Sequence, residues 1–298
     1  MTMDKLVCIT GTNASGKSGL GIALAPRFDA EIVSADSRQV FIGLDLGSGK
    51  VTKEEMNGVR HHLIDVALPG EFFSLAHYQK LAYEAIDDIH KRGRKAFLVG
   101  GTGLYVNAVA DGFDLSGPAP DPATRSLVES KDKDELIELI KGYDPLALEG
   151  LDLNNKRRLE RAAEKVLSGD GKHSNVKRYD TLVLGVTWPR EELYERIRIR
   201  LDARLAQGMI DEVRSLRSDG VSDDFLYRLG LEYRYILMYL RGEFSDYESF
   251  YNKLFMEIRH LAKEQMTWFR KRSDIVWIDM KNDPVGRASD LIEEFFKR

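Results

Sequence analysis

The stretch Leu6–Ala25, LVCITGTNASGKSGLGIALA, decides the fold. A short apolar run meets the loop Gly11-Thr12-Asn13-Ala14-Ser15-Gly16-Lys17-Ser18, and an apolar-periodic segment follows. This is G-x-x-x-x-G-K-[ST] between a strand and a helix, the context the motif requires. The glycines let the backbone turn and present its N–H groups. The helix start adds partial positive charge, and Lys17 adds a full one. The loop therefore reads as a cradle for a di- or triphosphate, with Ser18 placed for Mg²⁺. Whether the held phosphate is transferred, hydrolysed or discarded is left to the rest of the chain.

Outward from the loop, Ala30–Ser34 and Lys95–Val99 read as further buried parallel strands, and Thr181–Trp188 as a later one. Between the first two of these, Ser74–Arg92 carries apolar residues at 75, 78, 81, 82, 85, 86 and 89, a helical spacing that stops at Gly93. The alternation predicts a P-loop NTPase-like α/β fold, a doubly wound parallel sheet with helices on both faces. Past Asp111 the Gly/Pro-rich GFDLSGPAPDP opens a charged, mainly helical region, which a polar loop, KHSNVKRYD, closes. The expected organisation is a catalytic core of 1–112 and 180–298 with a helical insertion at 113–179. From Arg190 one helical segment, with Leu193, Ile197, Leu201 and Leu205 at i+4 steps, runs to Gly220. A further helix spans about Tyr247–Arg272, and Ile275–Ile278 is a short last strand.

Composition excludes some classes of function. The 298 residues suffice for a sizeable core, and no apolar run approaches the roughly 20 residues of a membrane span. The start, MTMDKLVCIT, has no signal-peptide pattern, and the one cysteine, Cys8, allows no internal disulfide. A cytoplasmic protein is expected. The net charge of −4 does not announce a nucleic-acid binder. Locally the balance reverses: residues 154–204 hold 13 Lys and Arg against 8 Asp and Glu. Lys156, Arg157, Arg158, Arg161 and Lys165 fall within one helical stretch, and Arg196, Arg200 and Arg204 form an i+4 stripe. Such a reversal suits a polyanion beyond the one in the phosphate loop, although pairing with Glu160, Glu164 and Glu195 would also account for several of these cations.

The strand ends narrow the chemistry. Asp36, in VSADSRQV, follows the second strand and can serve as a general base beside the phosphate loop, or as a helix cap. The strand ending Val99-Gly100-Gly101-Thr102 carries no carboxylate where a P-loop hydrolase holds Mg²⁺ or orients water. That weakens ATPase readings and leaves small-molecule kinases open. His61 and His62 read as structural, because neighbours on a strand face opposite ways. Trp268 and the tyrosines of FLYRLGLEYRYILMYL read as packing residues.

Together GTNASGKS, SADSRQVF, GLDLGSGK, HHLIDV, LVGGTGLYVNAV, NNKRRLERAAEKV, LYERIRIRLDARL and LAKEQMTWFRKR resemble, in that order and over nearly the whole chain, the tRNA dimethylallyltransferases, also called tRNA isopentenyltransferases. The resemblance implies transfer of the dimethylallyl group from dimethylallyl diphosphate to the exocyclic amine of the adenosine 3′ to the anticodon, with Mg²⁺ present and pyrophosphate leaving. It implies that Asp36 is the base for that amine, Thr102 a donor to the leaving group and Arg200 its cationic partner. Gly11 to Ser18 become the diphosphate cradle. Asp36, Ser37, Arg38, Gln39 and Thr102 meet the RNA, as do Arg125, Arg157, Arg158 and Arg161 of the insertion. Partners are then the tRNA anticodon stem-loop and dimethylallyl diphosphate, acting on a monomer of the bacterial type, without the zinc finger of eukaryotic members. Two departures stand out: GTNASGKS in place of GPTASGKT, and LGLEYRYI, with Glu232, in place of the usual GY-[KR] segment. An adenylate dimethylallyltransferase shares the loop and the Asp but has little need of the basic insertion.

Overall fold

The computed structural model describes residues 3–115, 121–169 and 174–298. The expected polar loops over 112–122 and 172–180 lie partly outside the described residues. Six strands form one all-parallel sheet: β1 (Lys5–Gly11), β2 (Ala30–Ser34), β3 (His61–His62), β4 (Lys95–Gly100), β5 (Asp180–Thr187) and β6 (Ile275–Asp279), in the order β3-β2-β4-β1-β5-β6. This is the doubly wound α/β sheet that the sequence predicts.

Period-two alternation sorts each strand's apolar residues to two faces. Leu6, Cys8, Val33, Ala96, Leu98 and Val183 pack beneath α2 (Leu75–Lys91) and α3 (Gly103–Ala110). Val7, Ile9, Ile32, Phe97, Leu184 and Val186 pack against α1 (Lys17–Leu24) and α12 (Pro284–Lys297). With both faces covered, the central strands are almost wholly apolar, as a buried parallel sheet requires. Helix α2 starts where Ser74 accepts from the N–H of His77.

A helical layer continues the same unit: α7 (Arg190–Ala206), α8 (Met209–Ser218), α9 (Asp223–Leu229), α10 (Leu231–Leu240) and α11 (Tyr247–Phe269) share a second core around Leu193, Ile197, Leu201, Tyr233, Phe250 and Leu254. The single helix expected from Arg190 to Gly220 is two. Gly208, at φ +98°, breaks it after Gln207 in a conformation that a helix interior cannot hold. Tyr233 packs completely and Tyr235 and Tyr239 partly, but Tyr227 is exposed beneath the Arg234 guanidinium; Trp268 lies against Gly103.

The chain divides into two compact units, Met1–Gly112 with Lys177–Arg298, and Phe113–Val176. The second is helical: α4 (Pro122–Glu129), α5 (Lys133–Tyr143) and α6 (Lys156–Leu167) enclose Val128, Leu136, Ile140, Leu159 and Ala163. Asp121, Asp132 and Asn155 cap its three α-helices. No helix among the described residues is long and apolar enough to cross a membrane.

Candidate active site

Carboxyl ends of parallel strands form the ligand crevice of such sheets, and β1, β2 and β4 deliver the residues singled out above. The phosphate loop leaves β1 at Gly11, where a Cβ would sit 2.6 Å from a methyl of Val186 on β5. Gly16, at φ +88°, caps α1, and the first N–H groups of that helix have no intrahelical partners. The loop's carbonyls are tied from behind. Trp188 Nε1 donates to Ser15 O at 2.8 Å, and Arg196 Nε to Ala14 O at 3.0 Å, with its guanidinium 4.4 Å over the Trp188 ring. Gln265 of α11 accepts from the N–H of Asn13 at 2.8 Å and donates to Gly101 O at 2.9 Å. One amide thereby joins the phosphate loop to the turn after β4.

Lys17 Nζ rests 3.2 Å from Thr12 O. Desolvation, assisted by Arg200 and Arg204 and opposed by Asp36, brings its pKa down to about 8. Arg196, Arg200 and Arg204, one turn apart on α7, all line a cavity of about 710 Å³ with Ala14, Gly16, Lys17 and Ser18. Burial together with Arg204 brings Arg200 down to about 10, and burial likewise lowers Arg204. Groups held at such a cost without a matching number of carboxylates favour an anion. The far wall is the turn 45–52: Gly49 O accepts from Arg200 at 3.2 Å and from Gln39 Nε2 at 3.2 Å. Gly49 has φ +64°, and a Cβ there would run into both Arg200 and Arg204. Asp45 and Glu55 line the same cavity as Ser18.

Asp36 and Thr102 lie next to each other across β2 and β4. Gly100 allows it: a Cβ there would collide with the backbone carbonyl of Ala35, which itself accepts from Thr102 N at 3.1 Å. Thr102 Oγ1 accepts from Ser37 N at 3.0 Å and reaches Ser37 Oγ at 3.3 Å. Asp36 Oδ1 accepts from the N–H of Arg38 at 3.0 Å and of Gln39 at 3.4 Å, an Asx turn that fixes the carboxylate at the strand end. Its charge is felt by Lys17, Arg200, Arg204 and the stacked pair Tyr78 and Tyr105.

The structure thus gathers Gly11 to Ser18, Asp36, Thr102 and Arg200 in one region of the first unit. Ser37 and Arg38 are partly exposed beside them, whereas both ends of the Gln39 amide are engaged inside the protein, at Ser34 and Gly49. In the second unit, Arg125 and Arg161 both bind Glu164, which is buried, so each has a structural use. Arg157 and Arg158 are exposed on α6 with no ion pair among the described residues. His61 bonds Val59 O and His62 bonds Glu31, and no group of three or more potential metal-binding side chains occurs among the described residues. Nothing in the sequence pattern marks Gln265, Trp188 or Gly49, and Glu232 shows there only as a departure from the family pattern. For Arg196 and Arg204 the i+4 stripe was the available signal.

A family model described as IPP transferase matches residues 39–272. The chain is 40% identical to tRNA dimethylallyltransferase 2 of Citrifermentans bemidjiense over 97% of its own length and 95% of that protein's. The crystal structure of full-length tRNA isopentenylpyrophosphate transferase from Bacillus halodurans superimposes with a TM-score of 0.75 at 38% identity, covering 99% of this chain and 96% of that one. A eukaryotic dimethylallyltransferase, captured acting on tRNA, shares the fold at 22% identity and a TM-score of 0.82, over 98% of this chain and 79% of that one. The chain belongs to the IPP transferase family.

Proposed function

We propose that the protein transfers the dimethylallyl group of dimethylallyl diphosphate to the exocyclic amine of the adenosine 3′ to a tRNA anticodon and releases pyrophosphate. The observation that carries the reading is the pairing of a cavity lined by five cations (Lys17, Lys50, Arg196, Arg200, Arg204) with a carboxylate, Asp36, at the adjoining strand end. Supporting it are relatives named tRNA dimethylallyltransferase.

The chemistry follows from charge. As the C1–O bond breaks, negative charge collects on the departing diphosphate, and preorganised cations and N–H groups stabilise what develops there. The new N–C1 bond draws the lone pair of a weakly basic amine, whose proton passes to an Asp36 carboxylate oxygen and then to solvent. Thr102 and the Asx turn hold Asp36 and its strand end in place for that transfer. Mg²⁺ fits the donor set: the Ser18 hydroxyl lies in the cavity, diphosphate oxygens and water would complete the shell, and the ion would neutralise leaving-group charge. No in-line water is needed, so the Gly-Gly-Thr end of β4 has no carboxylate to supply. The base must leave its stack to reach Asp36, as enzymes acting on bases require. The exposed Arg157 and Arg158 suit the RNA backbone. The helical insertion of 113–179 is the RNA-holding part, and the chain acts as a monomer in the cytoplasm.

The test is direct. Incubation with dimethylallyl diphosphate, Mg²⁺ and unmodified tRNA that reads codons beginning with U should yield an isopentenyl adduct on the target adenosine, weighed by nucleoside mass spectrometry. Its absence from folded protein refutes the reading. Asp36→Asn should lower kcat by about 10²- to 10⁴-fold and leave the Kd for pyrophosphate close to that of the unaltered protein.

A further inference from the structure

Asn13 and Glu232, one residue from each departure from the family pattern, are far apart in sequence yet line one small cavity, about 20 Å³, together with Arg200, Arg204 and Ile258. Glu232 opens α10 with its side chain only 7% exposed. Its carboxylate is divided between two cations. Oε2 accepts from Arg38 Nη1 at 3.0 Å, and Oε1 lies 3.8 Å from Arg204 Nη1. Arg38 belongs to the turn that holds Asp36, and Arg204 lines the anion cavity. A buried carboxylate therefore stands between the group that would meet RNA and the group that would meet diphosphate.

We infer that Glu232 is a positioning residue that couples the two substrate sites; this rests on the tRNA-prenylation reading above. With the cavity free of an anion, Arg204 draws on Glu232 as its counter-charge. Once a diphosphate enters, Arg204 is satisfied by it, and the Glu232 charge falls to Arg38. That firms the 36–39 turn against α10 and fixes the segment that receives the RNA. The 20 Å³ cavity, large enough for about one water, gives the Arg204 side chain room to shift without displacing packed atoms. Asn13 Oδ1, buried on its wall without a partner among the described residues, is an acceptor for that shift. Coupling of this kind is reciprocal: tRNA tightens diphosphate by the same factor.

The experiment measures the Kd of the full chain for unmodified tRNA with and without saturating pyrophosphate and Mg²⁺. Pyrophosphate should tighten tRNA binding about five-fold or more. In Glu232→Gln that enhancement should vanish, while pyrophosphate alone binds more tightly because Arg204 is no longer shared. A merely structural ion pair would instead lower thermal stability and leave the ratio intact. Arg38→Met removes the other end of the link and should also abolish the enhancement, which keeps the test decisive should Glu232→Gln fail to fold. Enhancement persisting in a folded variant, or absent from the unaltered protein although both ligands bind, overturns the coupling. Pyrophosphate binding without any tRNA binding overturns the functional reading, and the coupling with it.

Discussion

Lys17 shows how a single ammonium group sets a pH limit. Its folded pKa, about 8, lies below its ordinary value of 10.5, chiefly through desolvation. Between those values the unfolded chain binds more protons, so folding stability rises with pH across that window and gains nothing below it. Anion binding goes the other way. Above pH 8 the free protein holds a neutral lysine, and a bound diphosphate must recruit a proton to restore the ion pair. Pyrophosphate affinity should therefore fall above about pH 8, by up to about ten-fold per pH unit. Calorimetric titration from pH 7 to 9.5 checks this, with Lys17→Arg expected to flatten the profile because a guanidinium stays charged. Asp36 and Lys17 could be singled out in the sequence because each follows a strand whose apolar run is unmistakable. Glu232 shows in the sequence only as a departure from the family pattern; its meaning lies in Arg38 and Arg204, nearly 200 and about 30 residues away.

Elements were legible in proportion to how local their causes are. Strands β1, β2, β4 and β5 show as apolar runs ended by glycine or a hydroxyl, and α2 shows its period and its cap. The break at Gly208 was hidden because apolar spacing continues through it; only the positive φ divides the segment. The edge strand His61–His62 is too short to carry a pattern. Gln265 is the clearest element-scale case, since α11 presents it to a loop 252 residues earlier and to the turn after β4. Gln265→Leu keeps the volume but strands the Asn13 N–H and the Gly101 carbonyl. Each unsatisfied buried group costs about 1–3 kcal/mol. Thermal melting should show the loss of stability, and KM for dimethylallyl diphosphate should rise more than KM for tRNA.

At the scale of the whole molecule the net charge of −4 hides the distribution that matters. The first unit buries its cations around one cavity, and the second displays Arg157 and Arg158 on the surface of α6. The sequence showed that both groups existed. It could not show that Arg125 and Arg161 are drawn to a buried Glu164 while Arg157 and Arg158 stay exposed with no ion pair among the described residues. Replacing Arg157 and Arg158 together by alanine should raise KM for tRNA and leave that for dimethylallyl diphosphate unchanged. The slope of log Kd for tRNA against log salt should become shallower by about 1.5 to 2, near the value for two lost phosphate contacts. A steady-state series from 50 to 300 mM salt, on the order of the range over which such contacts weaken, reads both effects.

The manner in which the phosphate loop is finished sets an order of assembly. Its residues are synthesised well before those that finish it: they are packed by Val186, held at their carbonyls by Trp188 and Arg196, and stapled by Gln265. Strand β1 pairs with β5, Lys5 opposite Asp180, so the sheet cannot close until more than half the chain exists. Contacts of such long range form late. A ribosome-bound nascent chain thus carries the complete loop sequence long before it has a working anion site. Competence to grip a diphosphate arrives only once α11 has been made.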